Sequence, residues 1–143
     1  MKRIALIACV KQKLPHKARA EDLYTSDLFR KHLEYAKQRS PDAIYILSAR
    51  YGLLPLDAEI EPYDQTLKTM SASQVRAWAQ RVVEQLAQCA DLRNDHFIIL
   101  AGEAYYKPLI RYLSSYEIPF QGLPIGKRLQ ALSQALGTRT TSR

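Results

Sequence analysis

The chain has 143 residues, a formal net charge of +7 and two cysteines. That length fits one domain with its own core, and so few cysteines exclude a disulfide framework or a four-cysteine zinc site. No run reaches the roughly 18 to 20 apolar residues of a membrane-spanning helix, so no membrane partner is expected.

The first element is a near-continuous apolar run over 3–10, the pattern of a strand buried on both faces. Basic residues precede it, as in a signal peptide, but the run is short and Lys11 follows it in place of a cleavage site; a cytoplasmic location is expected. A basic loop covers 11–22. Ser26 is placed to cap a helix over 27–39, with Asp27 at its positive end and Leu28, Phe29, Leu33 and Ala36 on its apolar stripe. Ser40-Pro41-Asp42 stops that helix, and 43–47 reads as the second strand. A long segment to Leu67 then reads as irregular, yet it is too apolar and aromatic for a linker, which points to function.

Ser71 and Gln74 have capping-box spacing ahead of a helix that carries Val75, Trp78, Ala79, Val82, Val83 and Leu86. Residues 96–101 form a third apolar strand, broken by Gly102. A helix over about 104–114 follows, with Pro108 expected in its first turn. Residues 117–120 offer a short strand, and 125–136 a final helix with Gly137 as its C-cap. The basic tail 138–143 is expected to be disordered, leaving a single domain over 1–137. Strands and helices alternate. The expected fold is therefore α/β, a mostly parallel central sheet of about three to four strands with helices on both faces.

Ligands of open parallel sheets bind outside the carboxyl ends of the strands. Cys9, Lys11 and Lys13 leave the first strand there, Ser48, Arg50, Tyr51 and Gly52 the second, and Gly102, Glu103, Tyr105 and Tyr106 the third. Pro62, Tyr63 and Asp64 are expected to fold back over that edge as a pocket wall. Lys11 and Lys13 read as phosphate ligands or as plain loop lysines. Arg50 reads as a planar fork for an anion or as a partner of Asp57 or Glu59. The tyrosines read as stacking platforms for a base or as core-edge residues. Gly52 and Gly102 permit tight turns or a close ligand approach. Glu103 reads as helix-dipole compensation or as a carboxylate that binds a sugar hydroxyl or acts as a base, with Asp64 as the second acid/base candidate. Cys9 is a nucleophile if the lysines lower its pKa, and a packed thiol otherwise. Lys127 follows a faintly phosphate-loop-like Gly122-Leu123-Pro124-Ile125-Gly126, which is equally a turn into a helix. His16, His32 and His96 lack metal-ligand spacing, so neither metal nor cofactor is expected.

Lys2, Arg3, Lys11, Lys13, Lys17 and Arg19 precede the first acid, Glu21; Lys127, Arg128, Arg139 and Arg143 follow the last, Glu117. Acid-free basic ends suit a solvated surface or a phosphate-facing one, hence a nucleic-acid or nucleotide partner.

The segment Leu47-Ser48-Ala49-Arg50-Tyr51-Gly52-Leu53-Leu54-Pro55-Leu56-Asp57 with Glu61-Pro62-Tyr63-Asp64, and the segment from Ile99 to Lys107, resemble two segments of the bacterial peroxide-stress YaaA family. The whole chain resembles small stand-alone bacterial and phage domains through Cys9-x-Lys11-x-Lys13, Asp22-Leu23-Tyr24-Thr25-Ser26, Pro62-Tyr63-Asp64-x-Thr66-Leu67 and Gly122-x-x-Ile125-Gly126. The resemblance implies a shared α/β core and a DNA-binding, positively charged cleft used in oxidative-stress protection. The YaaA helix-hairpin-helix element is not carried over to this shorter chain. Three functions follow: nucleic-acid or nucleotide binding through a basic, tyrosine-rich cleft, an enzyme acting on a nucleotide or nucleic-acid base by N-glycosidic cleavage or base transfer, and a protein-interaction module. Oligomeric state is not legible.

Overall fold

A computed structural model of the chain describes the backbone of residues 1–141 and the side chains of residues 1–137. Its main sheet has β1 (Arg3–Ala8) at the centre, β3 (Ala43–Ser48) and β6 (His96–Leu100) parallel on either side, and β4 (Gly52–Pro55) and β7 (Ser115–Glu117) at the edges, in the order β4-β3-β1-β6-β7. A separate antiparallel pair joins β2 (Ala18–Arg19) to β5 (Glu59–Ile60). The helices are α1 (Ala20–Leu23), α2 (Asp27–Gln38), α3 (Ala72–Ala87), α4 (Glu103–Ile110) and α5 (Ile125–Thr141).

β1 is central because it can be buried on both faces: Ile4, Ala5, Leu6 and Ile7 lose essentially all solvent contact. β6 supplies Phe97, Ile98, Ile99 and Leu100 in the same way. α2 moves the chain from β1 to β3, while α3 and α4 move it the opposite way along the sheet. β1–α2–β3 and β6–α4–β7 join parallel strands in opposite directions along the sheet, and right-handed crossovers then put α2 and α4 on opposite faces. α5 packs on α2 and α4 packs on α3, so both faces are covered. Ser26 accepts from Phe29 N at 3.1 Å, and Ser71 and Gln74 close the expected capping box. No helix among the described residues is long and apolar enough to cross a membrane.

The sheet is wider than the expected three to four strands. The extra strand, β4, lies in the segment that reads as irregular. Gly52 adopts φ +76°, so a three-residue turn reverses the chain and Ser48 pairs with Gly52, continuing antiparallel to Tyr45 with Pro55. A Cβ on Gly52 would sit 2.3 Å from Gln85 Oε1, so this position needs glycine for space as well as for φ. Pro55 is tolerated because β4 is an edge strand.

Three further expectations are corrected. α4 begins at Glu103, and Pro108 lies inside it, past the first turn. Tyr105 N and Tyr106 N both bond to Gly102 O, at 3.0 and 3.1 Å, which starts the helix directly after β6; lacking an N–H, Pro108 offers Ala104 O no partner, and the helix ends two residues later. Gly137 does not end α5, which continues to Thr141. β7 covers Ser115–Glu117, earlier than expected, because its register with β6 pairs His96 with Ser115 and Ile98 with Glu117. The side chains of the tail expected to be disordered lie outside the described residues.

Glu117 ties this edge together. Arg39 donates to both its carboxylate oxygens at 2.9 Å, and His96 Nε2 lies 2.7 Å from Oε2. The hydrogen bonds from Arg39 lower the Glu117 pKa to about 2. A lowered carboxylate pKa gives stability that is present above the unfolded value and lost as pH falls through the folded one. The wild type should therefore melt above a Glu117→Gln variant at pH 6, and the difference should vanish between about pH 4.5 and pH 2. Calorimetric melting across that range checks this; a difference independent of pH would refute it.

Candidate functional site

The carboxyl ends of β1 and β3 are joined where Cys9 N bonds to Leu47 O at 2.9 Å. Just beyond lies a chain of buried hydroxyls. Ser48 Oγ accepts from Tyr51 N at 3.0 Å and donates to Tyr63 OH at 2.8 Å; Tyr63 OH lies 2.5 Å from Tyr24 OH. Burial raises the pKa of both Tyr24 and Tyr63 beyond the ordinary phenol range, so both stay protonated. Beside this chain, Tyr105 OH accepts from Cys9 Sγ and from Leu67 N, each at 3.4 Å.

Lys13 crosses above these rings. Its ammonium is 4.5 Å from the Tyr63 ring centre and 5.8 Å from that of Tyr24, a cation–π placement, and it donates to Lys11 O at 3.2 Å. A backbone bridge between Lys13 and Tyr24 fixes the lysine there. Burial lowers its pKa, and no carboxylate comes within ion-pair distance of it among the described residues. Lys11, Lys13, Leu14, Pro62, Tyr63 and Asp64 line an open cavity of about 290 Å³. The Pro62-Tyr63-Asp64 segment is thus one wall, and Asp57, Glu59 and Glu61 point to solvent.

α3 holds the β3–β4 turn from behind. Trp78 Nε1 donates to Ser48 O at 2.9 Å, Arg81 Nη2 to Arg50 O at 2.6 Å, and Gln85 Oε1 accepts from Leu53 N at 2.8 Å. Positions 78, 81 and 85 share one helix face, so a single stripe fixes the turn's backbone. Trp78 also meets Tyr105 edge-on at 5.8 Å.

The predicted residues fall into three groups. Cys9, Lys11, Lys13, Ser48, Arg50, Tyr51, Gly52, Tyr63, Asp64 and Tyr105 gather at or beneath the carboxyl edge of β1 and β3. Among them Tyr63 and Tyr105 are buried, with hydroxyls in the hydrogen-bonded cluster and rings packed against Lys13 and Trp78 respectively, Tyr51 is half-exposed, and the exposed Arg50 guanidinium lies 5.4 Å over the Tyr51 ring. Glu103 stands apart. It is exposed, meets Lys107 at 3.2 Å, and lines a separate groove of about 570 Å³ between α3 and α4 with Lys68, Arg76, Lys107 and Arg111. Gly102 has φ −76° and open space where a Cβ would go, so nothing there demands glycine. Tyr106 and Lys127 belong to the neighbourhood of α5. Tyr24 and Trp78 were not singled out as site residues from the sequence; their partners lie 39 and 30 positions away, beyond any local pattern. Among the described residues no group of three or more His, Cys, Asp or Glu is placed to hold a metal ion.

Fold and site together define an open, mostly parallel α/β protein whose candidate site is a lysine-bearing, hydroxyl-lined cleft at the carboxyl edge of the sheet. The chain belongs to DUF6884, a family of unknown function whose model matches residues 4–134. No curated protein and no solved structure matches it.

Proposed function

We propose that the protein binds nucleic acid or a nucleotide through the Lys11–Lys13 cleft, with a phosphate group on the two lysines. The observation that carries this reading is Lys13: a partly buried ammonium held over the Tyr63 ring, without a carboxylate partner among the described residues, and facing an open cavity. Asp64, in the same cavity, acts on this ammonium through its field without an ion pair, and an anionic ligand would give it a direct countercharge. Tyr51, half-exposed, edge-on to Tyr63 and with Arg50 over its ring, would be the tyrosine to stack a base beside this cleft. The net charge of +7 and the YaaA-like segments through Arg50 and Tyr63 support the same class of partner.

Binding of a single-stranded DNA oligonucleotide across a salt series tests the reading. Log K is expected to fall linearly with log salt, and a Lys11→Ala/Lys13→Ala variant should flatten that slope by about 0.7, the share of the one phosphate the two lysines hold. Binding without salt dependence overturns it.

A second reading is an enzyme acting on a nucleotide base. Asp64 favours it, because this carboxylate shares the cavity with Lys13 above the buried hydroxyls, whereas Glu103 lines another groove. Base release from a nucleotide mixture, lost in Asp64→Asn, would establish it; an unchanged mixture removes it.

A further inference from the structure

We propose that the first turn of α5 is a second anion site, in which the Arg128 guanidinium and the backbone N–H groups of Gly126 and Lys127 bind one phosphate-type oxyanion. Arg128 is 7% exposed, its Nη1 is sealed from solvent, and its guanidinium has no hydrogen-bond or ion-pair partner among the described residues. A buried, unpaired guanidinium is costly to a fold. Such a group in a native protein calls for an explanation, of which a bound ion is one.

The surroundings are built for an anion. Arg128 N donates to Pro124 O at 2.8 Å, which makes this the first bond of the helix. The N–H groups of Ile125, Gly126 and Lys127 therefore have no intrahelical acceptor, and Pro124 has no side-chain oxygen to cap them. No acid lies in the first turn of α5. Gly122, at φ +81°, and Gly126 both have open space where a Cβ would sit. The Cα–Cβ bonds of a helix tilt toward its N-terminus, which starts the Arg128 side chain in the direction of these N–H groups. On that same side stand Tyr106, from the first turns of α4, and Gln121, whose Nε2 donates to Tyr106 OH at 3.3 Å. The Tyr106 phenol is near enough to act electrostatically on Arg128. His32, across the α2–α5 contact, also has a buried Nε2 without a partner. Burial, with Arg128 beside it, lowers its pKa to about 4, so it is neutral at pH 7 and does not compete for the anion. This site stands whether or not the Lys13 cleft binds phosphate.

The test is thermal melting of the full chain against inorganic phosphate and pyrophosphate, for wild type, Arg128→Met and Lys11→Ala/Lys13→Ala. The wild type is expected to gain about 4 °C at ten times Kd. Arg128→Met, which replaces an unpaired buried charge with an apolar chain of similar volume, should melt no lower than wild type without anion and should lose the gain. The double lysine variant should keep it. The proposal is overturned if neither anion shifts the wild type, if Arg128→Met keeps the shift, or if only the lysine variant loses it, which would place the anion in the Lys13 cleft. Should Arg128→Met fail to fold, Arg128→Lys decides: it keeps the charge without the planar fork, so roughly tenfold weaker binding supports the site and unchanged binding sinks it.

Discussion

Replacing Trp78 with alanine is expected to lower the stability of the domain by about 3 to 5 kcal/mol. The indole is buried, packs edge-on against Tyr105, and donates to Ser48 O at 2.9 Å. Its removal leaves a cavity and a buried carbonyl without its donor, two costs that add. Against a total of about 5 to 15 kcal/mol for a domain of this kind, the loss is a large fraction. Trp78→Phe keeps most of the packing and loses the hydrogen bond, so it should fall between the two. Urea unfolding followed by circular dichroism measures both. A loss for Trp78→Ala no larger than that of an exposed helix position such as Gln80 would show that the indole does not anchor the turn.

The second large effect is on binding. Lys13→Met is expected to weaken single-stranded DNA binding by roughly 10- to 100-fold at fixed salt, the worth of a charge-assisted contact. Methionine retains much of the stem over the Tyr63 ring and removes a charge that has no carboxylate partner among the described residues, so the free protein should melt at or above the wild-type temperature. That pairing separates a binding role from a structural one. Equal affinity in wild type and variant, read by fluorescence anisotropy, would remove Lys13 from the proposed interface. A fall in both affinity and melting temperature would instead mark it as structural.

These two residues show what could be read from the chain and what could not. β1, β3 and β6 were legible because their apolar runs are long, and α2 and α3 because Ser26 and the Ser71–Gln74 pair signal their starts. β4 was not, because its strand signal is four residues long and hinges on the positive φ of Gly52, which a glycine in sequence permits without requiring. Pro108 misled for a similar reason: a proline in the first turn is the commoner choice, yet here β6 fixes the helix start at Gly102. The edge that gathers Cys9, Lys13 and Ser48 followed from the parallel order of the strands. The contacts within it did not. Tyr24 reaches Tyr63 across 39 positions and Trp78 reaches Ser48 across 30, and such pairs follow from tertiary packing alone. Arg128 read as one of several basic residues in an acid-free end, and only its burial distinguishes it.

The outermost strands also bear on how copies of the chain can meet. β4 is four residues long and closes with a proline, and β7 is three residues long. Each rim of the main sheet therefore offers a foreign strand only a brief ladder of free backbone groups, and on one rim Pro55 removes a donor from it. The long, buried strands that could template cross-pairing, β1 and β6, are flanked on both sides. The main sheet thus carries its own deterrent to edge-to-edge growth.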